Sequence, residues 1–295
     1  MRTATLSAPP TTVTEPAPRS GHQLRLWSAA RWLVIIPALA FALAPLYWMV
    51  ASAFKSDQEL GRLRPTLYPH EPTLAQFRAA LNDGSLLAAT VNSALVAVPT
   101  TLLVLLLGSA AAYAVTQWRF PGVTGVLGLT LFTQLLPQTA TLVPIFLLGN
   151  KIGLTGSIGG LGGVYSMMFL PVAVWMLVGF FRSLPAELTE AALVDGASRP
   201  RILWSVVLPI VRPALVSVGA YTLIVCWGEF LFALVFLSSD STTATVNLAS
   251  LIGEHDPNIG PLMAASTIAT LAPLLIFFAL QRHFVAGLTG GAIKS

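Results

Sequence analysis

The sequence predicts an all-α integral membrane protein with six transmembrane helices. Three observations carry that prediction. Hydrophobic residues make up 55% of the 295 and charged residues only 9%, whereas a soluble domain carries about a quarter charged. Apolar runs of roughly twenty residues recur along the chain, each long enough at 1.5 Å per residue to cross about 30 Å of hydrocarbon. The basic residues, finally, are shared unevenly between alternate connecting segments.

Residues 1–31 begin rich in Thr, Pro, Ala and Ser without apolar periodicity, the composition of a disordered tail. The first run, 32–54, follows Arg25 and Arg31 and contains Ala38-Leu39-Ala40, which resembles a signal-peptidase box. Too few apolar residues precede that box, and the run continues far beyond it, so a retained span is expected rather than a cleaved signal. A polar segment with Pro65, Pro69 and Pro72 leads to the second run, 87–115, which closes at Gln117, Trp118 and Arg119. Phe120-Pro121-Gly122 is expected to break the chain tightly. The third run, 123–148, is interrupted by Gln134, Pro137, Gln138 and Pro144, and a short loop opens at Gly149-Asn150-Lys151. The fourth, 158–181, closes at Arg182. An amphipathic stretch, 183–213, separates it from the fifth, 214–237. A polar loop then leads to the sixth, 261–280, and a C-terminal tail at 285–295.

Six spans put both termini on one side. With that side cytoplasmic, the inner segments hold eleven basic residues (Arg2, Arg19, Arg25, Arg31, Arg119, Arg182, Arg199, Arg201, Arg212, Arg282 and Lys294). The outer segments hold five, namely Lys55, Arg62, Arg64, Arg78 and Lys151. The positive-inside rule favours this orientation. Both tails are therefore expected in the cytoplasm.

Catalysis finds no footing in the chain. No Gly-rich phosphate loop ending in Gly-Lys-Ser or Gly-Lys-Thr is present, and the single Cys226 excludes an internal disulfide framework. His22, His70, His255 and His283 are scattered, which leaves neither a metal-ligand cluster nor a nucleophile–base pair. No basic stripe with interleaved aromatics points to nucleic acid.

The stretch 183–213 reads as two short helices. Ser183 is placed to cap the first, Pro185 suits its first turn, Glu187 suits the positive end of the dipole, and Gly196 offers a left-handed stop. Leu188, Ala191 and Ala192 are expected on one face, small enough for another protein to approach the backbone. The second helix is expected from Ser198 or Pro200 to Leu208 and Pro209. Composition alone leaves two readings level: an amphipathic connector lying on the membrane, or a helix that docks a partner.

The pattern Glu190-Ala191-Ala192, Gly196, Ile202 and Leu208-Pro209 resembles the EAA loop of binding-protein-dependent ABC importer permeases. Further similarity to the carbohydrate branch typified by the maltose system runs from about residue 30 to the C-terminus. It includes Asn92-Ser93, Val98-Pro99-Thr100-Thr101, Ala111-Ala112-Tyr113-Ala114, Arg119-Phe120-Pro121-Gly122, Trp227-Gly228-Glu229-Phe230, and Gln281-Arg282 through Gly290-Gly291. Gly228 departs from the Asn of many relatives.

The resemblance implies a permease domain at 32–284 whose cytoplasmic loop, 183–213, seats on a separate ATPase. The coupling residues it implies are Glu190, Ala191, Ala192, Asp195, Gly196, Arg201, Leu208 and Pro209, with Arg199 nearby. It also implies a second, non-identical permease, an ATPase dimer that binds ATP and Mg, an extracytoplasmic solute-binding protein, and a place in the bacterial inner membrane. No cofactor is expected on this chain. The class-level alternatives are an ion-gradient carrier and an importer of a non-sugar solute.

Within the spans, Glu229 is the one carboxylate, to be read either as a pathway or subunit-interface group or as a packing residue with a satisfied carboxyl. Gln134 and Gln138 either line a path or flank a simple proline kink. Asn92 is open to the same path or interface role, with a helix-bridging role favoured. Tyr47, Trp48, Trp118 and Trp175 suit membrane-interface anchoring or packing.

Overall fold

The computed structural model describes residues 21–82, 84–118, 122–252 and 259–290, with side chains described between 31 and 279. Of the expected tails at 1–31 and 285–295, residues 1–20 and 291–295 lie outside the described residues, as do Arg119, Phe120 and Pro121 of the expected break, while 21–31 and 285–290 are helical. The described residues divide after Trp48 into two units. The first unit holds helix α1 (Gly21–Ala53) up to Trp48, with Arg31 over the Trp32 ring at 5.8 Å. This helix begins upstream of the expected span boundary.

The secondary structure of the second unit is helix, with no strand among its described residues: α2 (Asp57–Leu60), α3 (Ala75–Leu81), α4 (Ser85–Gln117), α5 (Val123–Phe132), α6 (Gln138–Lys151), α7 (Ile158–Arg182), α8 (Ala186–Val194), α9 (Arg199–Ile202), α10 (Leu208–Ile210), α11 (Arg212–Gly228), α12 (Leu231–Phe236), α13 (Ala244–Ser250) and α14 (Ile259–Gly290). Four stretches, Arg31–Ala53, Ser85–Gln117, Ile158–Arg182 and Ile259–Ala279, are long and apolar enough to cross a membrane, and the number reaches six if each of two bent pairs is one span. The last helix continues past the expected end at 280, since no proline follows Pro273 within it.

α4 organises the unit by packing along α7 and α11. Its buried stripe is dominated by small and hydroxyl residues, among them Ala89, Ser93, Ala97, Thr100, Gly108 and Ala112, with Leu86, Val96, Val104 and Tyr113 between them. Its opposite face exposes Leu87, Val91, Leu95, Leu102 and Leu106. A helix in water would invert that arrangement; in lipid, where Leu gains nothing by leaving hydrocarbon, small residues at the interface let backbones meet. The approach is close. The Thr100 hydroxyl donates to the Gly162 carbonyl at 3.3 Å, and a Cβ on Gly108 would lie 3.4 Å from Leu177. At one end of α4, Asn92 Nδ2 donates to the Thr242 carbonyl at 3.0 Å, and Ser93 Oγ accepts the first N–H of α13 at 2.9 Å.

Two of the expected apolar runs are broken, and a further bend lies where the amphipathic stretch meets the fifth run. The run at 123–148 bends by 102° between α5 and α6, because Pro137 lacks an N–H and holds Leu136 extended. Gln134 Nε2 ties that break to the Met168 carbonyl of α7 at 3.0 Å. The run at 214–237 divides at Glu229 into α11 and α12. A third bend, of 83°, separates the α9–α10 segment from α11 at Val211, just before Pro213.

Between α1 and α4 lies a polar clamp. Glu59 is buried and accepts from the Thr66 hydroxyl at 2.5 Å and the His70 N–H at 3.3 Å, with His70 Nδ1 at 3.0 Å. Buried Lys55 donates to the Thr66 carbonyl at 2.5 Å, and Gln76 Nε2 reaches the Lys55 carbonyl and Asp57. The Thr66 hydroxyl first, then the His70 ring, hold the Glu59 carboxyl well below the usual carboxylate range, to about 2. A carboxyl depressed on folding contributes stability that is complete above its ordinary pKa and lost as pH falls through the folded value. Amide hydrogen exchange across residues 59–70 should therefore stay slow at neutral pH and accelerate between about pH 4 and about pH 2. Thr66→Val should move that acceleration to higher pH; an unchanged profile would contradict the clamp.

Candidate functional site

The loop after α7 is built by a sequence of helix caps. Ser183 was expected to cap α8, but it closes α7 instead: its hydroxyl donates to the Phe180 carbonyl at 2.7 Å. Pro185 occupies the cap position of α8, extended at φ −60° and ψ 134°, without a side-chain cap bond. Its ring fixes φ for the turn into the helix, and Glu187 sits in the first turn.

The far end of α8 is a Schellman stop. The Ala197 N–H donates to the Ala192 carbonyl and the Gly196 N–H to the Leu193 carbonyl, each at 3.0 Å. Gly196 takes φ +80°, as that motif requires. Space is not the constraint, since nothing lies within 4 Å of a Cβ built there.

The faces of α8 divide the sequence-predicted residues. Thr189 is buried, and Ala192 packs with Leu184 and Ala197 against a core formed by Tyr113, Leu177, Phe181, Ile202 and Val207. Glu187, Leu188, Glu190, Ala191, Asp195 and Gly196 are exposed, and Val194 is 88% exposed. Leu188 and Ala191 thus face out while Ala192 faces in, splitting the trio expected on one face. The outward positions 187, 188, 191, 194 and 195 follow helical spacing.

The second helix of the loop starts where expected, with Ser198 at its cap position and Pro200 in its first turn. It then widens into a π-helical segment at Leu203–Val207. Pro209 brings no N–H for the Ser205 carbonyl, and the Leu208 N–H reaches back five residues to Leu203. Ile202, Leu203 and Val207 are buried and Leu208 half-buried, whereas Arg201 and Pro209 are exposed. Arg199 pins this helix to α4: its Nη1 donates to Gln117 Oε1 at 3.2 Å, and its guanidinium lies 5.6 Å from the Trp118 ring centroid.

Glu229 lies on different elements. It is 7% exposed, and three donors converge on its carboxylate. The Tyr165 hydroxyl of α7 and the Ala233 N–H, at 3.1 Å, meet Oε2, while the Phe232 N–H meets Oε1 at 3.0 Å. Its carbonyl accepts from Thr245 at 2.8 Å. The side chain therefore caps α12 and bonds it to α7. Asn92 is likewise bonded inside the chain, Gln134 is exposed with its amide on α7, and Gln138 is exposed.

Residues 85–290 match the family of binding-protein-dependent transport system inner membrane components. The chain belongs to this family. The permease is 31% identical to a diacetylchitobiose uptake system permease protein of Streptomyces coelicolor, over 92% of this chain and 97% of that protein. It is 34% identical to a trehalose/maltose transport system permease protein of Thermococcus litoralis, over 90% and 97% respectively. In fold it resembles a chain of a bacterial ABC transporter that imports the acidic polysaccharide alginate, with a TM-score of 0.76 at 20% identity, covering 90% of this chain and 99% of that one. Membership makes the chain a transport subunit of an ABC importer rather than an enzyme or an ion-gradient carrier. It carries in general terms a partner permease, an ATPase and a substrate-binding protein, and a multi-pass place in the inner membrane.

Two outcomes follow from the geometry. Gly196→Val should lower stability of the loop by about 1–2 kcal/mol, because a β-branched residue resists positive φ, while Gly196→Asn should be milder; equal effects on limited proteolysis of the loop would contradict the cap. Glu229→Ala should lower the detergent-solubilised melting midpoint far more than Tyr165→Phe, because it orphans three donors at about 1–3 kcal/mol each. Equal shifts would contradict the shared carboxylate.

Proposed function

We propose that this chain is one of two non-identical permease subunits of a carbohydrate importer and that α8–α10 form its cytoplasmic coupling loop. In this reading the chain crosses the membrane six times with both termini in the cytoplasm, the bent pair α5–α6 supplying the third span and α11 with α12 the fifth. The single observation that supports the coupling role best is the outward face of α8. An exposed apolar knob, Val194, stands with Leu188, Ala191 and flanking carboxylates on a helix whose other face is locked into the core. A nine-residue helix is marginal alone in water, so this inner face makes the outer one a rigid handle.

Glu190, Ala191, Asp195, Gly196, Arg201 and Pro209 then form the surface offered to the ATPase, which binds ATP and Mg. Ala192 and Leu208 support it from beneath. The Arg199 bond to Gln117 carries displacement of the loop into α4, and the covalent path through Pro213 carries it into α11. The importer couples only if its two states bind the ATPase differently. Gln134 and Gln138, beside the 102° break, are the polar groups best exposed to line the path; Glu229 and Asn92 brace it from behind. A carbohydrate substrate is supported by relatives whose names give diacetylchitobiose and trehalose/maltose.

Uptake and affinity purification test this reading together. Glu190→Lys and Gly196→Asp should reduce ATP-dependent sugar uptake by more than ten-fold and lose the co-purifying ATPase, with membrane insertion unchanged. Full uptake in either variant, or uptake of only a non-sugar solute, would contradict it.

A further inference from the structure

Two cavities meet at the root of the loop. One, of about 810 Å³, is apolar and lies between α5, α7 and the 83° bend before α11, with Leu127, Leu131, Trp175, Met176 and Val211 in its walls. The other, of about 550 Å³, is polar and lies between the end of α4, the end of α7 and α8–α9. Arg182 and Leu184 line both.

The polar cavity offers mainly donors. Arg182 is exposed with no ion pair among the described residues, and Arg199 keeps its remaining N–H groups after Nη1 binds Gln117. With Gln117 Oε1 so occupied, its Nε2 is left to donate. Tyr113, 4% exposed, is among the residues lining this cavity, and its buried hydroxyl has no partner among the described residues. A buried orphaned hydroxyl is costly unless something fills the site. Glu190 is the one carboxylate on this wall. Two guanidiniums, an amide N–H and a hydroxyl against one carboxylate fit a phosphate group.

We propose that the paired cavities hold an anionic phospholipid, its phosphate among Arg182, Arg199 and Tyr113 and an acyl chain in the apolar cleft, resting on the cytoplasmic placement of α8–α10 proposed above. Free phosphate shares the headgroup chemistry, but the apolar cleft opening beside the same arginine assigns the lipid source. Basic pockets between spans at the cytoplasmic side suit such headgroups. The lipid fills the wedge left by the bend and braces the joint between α7 and the loop.

The test is native mass spectrometry of the assembled transporter, released from detergent with phosphatidylglycerol and phosphatidylcholine at equal mole fraction. Phosphatidylglycerol should be retained on the permease subunit over phosphatidylcholine by about five-fold or more. Arg182→Gln and Tyr113→Phe should each cut that preference several-fold, and Arg182→Lys should restore most of it. Equal retention of the two lipids overturns the proposal, as does full competition by millimolar inorganic phosphate. Efficient cross-linking of Leu131→Cys to the partner permease in nanodiscs also overturns it, since a protein helix then fills the cleft. Loss of the ATPase from these spectra counts against the importer reading alone, because the lipid adducts are read on the permease itself.

Discussion

Inside hydrocarbon every backbone N–H and carbonyl must find its partner within the protein, and this chain breaks its apolar runs at Leu136–Pro137 and at Glu229 all the same, and bends at Val211 where the loop joins α11. Each interruption is compensated by a side chain brought from elsewhere or by a change of helical register. The Gln134 amide fastens the first to α7. The π segment at Leu203–Val207 takes up the missing N–H of Pro209 just ahead of the bend at Val211. The carboxylate of Glu229 supplies the acceptors that start α12 at the second break, held in turn by Tyr165. The long helices α4 and α7, each unbroken despite an internal proline (Pro99 and Pro171) and packed against each other, form the frame against which these breaks are fixed.

A division of labour follows. α4 is about 50 Å long at 1.5 Å per residue. It is tied near one end to the segment before α13 through Asn92 and Ser93, and at the other to α9 through Gln117 and Arg199. α8 rides on the same core with its inner face buried and its outer face free. Rigid support beneath a marginal helix is what a force-bearing contact needs, and it explains why Ala192 is small and half-buried while Val194 stands in the open.

Much of the helical architecture was legible in the sequence because lipid leaves a coarse signal: low charge and long apolar runs. The helix stop at Gly196 was legible too, since a left-handed residue after an apolar helix favours glycine. The break at Glu229 was not, because the expected apolar run 214–237 passes through it; the sharp bend at Val211 was not either, since the change of composition at Arg212 and Pro213 marks a boundary without giving its angle. The cap made by Glu229 depends on Tyr165, 64 residues away, which no local pattern reveals. Ser183 misled for a related reason: its hydroxyl suits either helix, and Pro185 had already taken the cap position. The inward turn of Ala192 depends on the core beneath the helix, which helical spacing alone does not locate.

The most direct measurement of the central claim is site-specific photo-cross-linking from position 194 in intact membranes. A photoreactive side chain there should cross-link to the ATPase, with a yield that changes between ATP-bound and nucleotide-free states. Cross-links only to lipid, or reaction with an impermeant reagent applied from outside the cell, would contradict the assignment of α8 as the coupling helix.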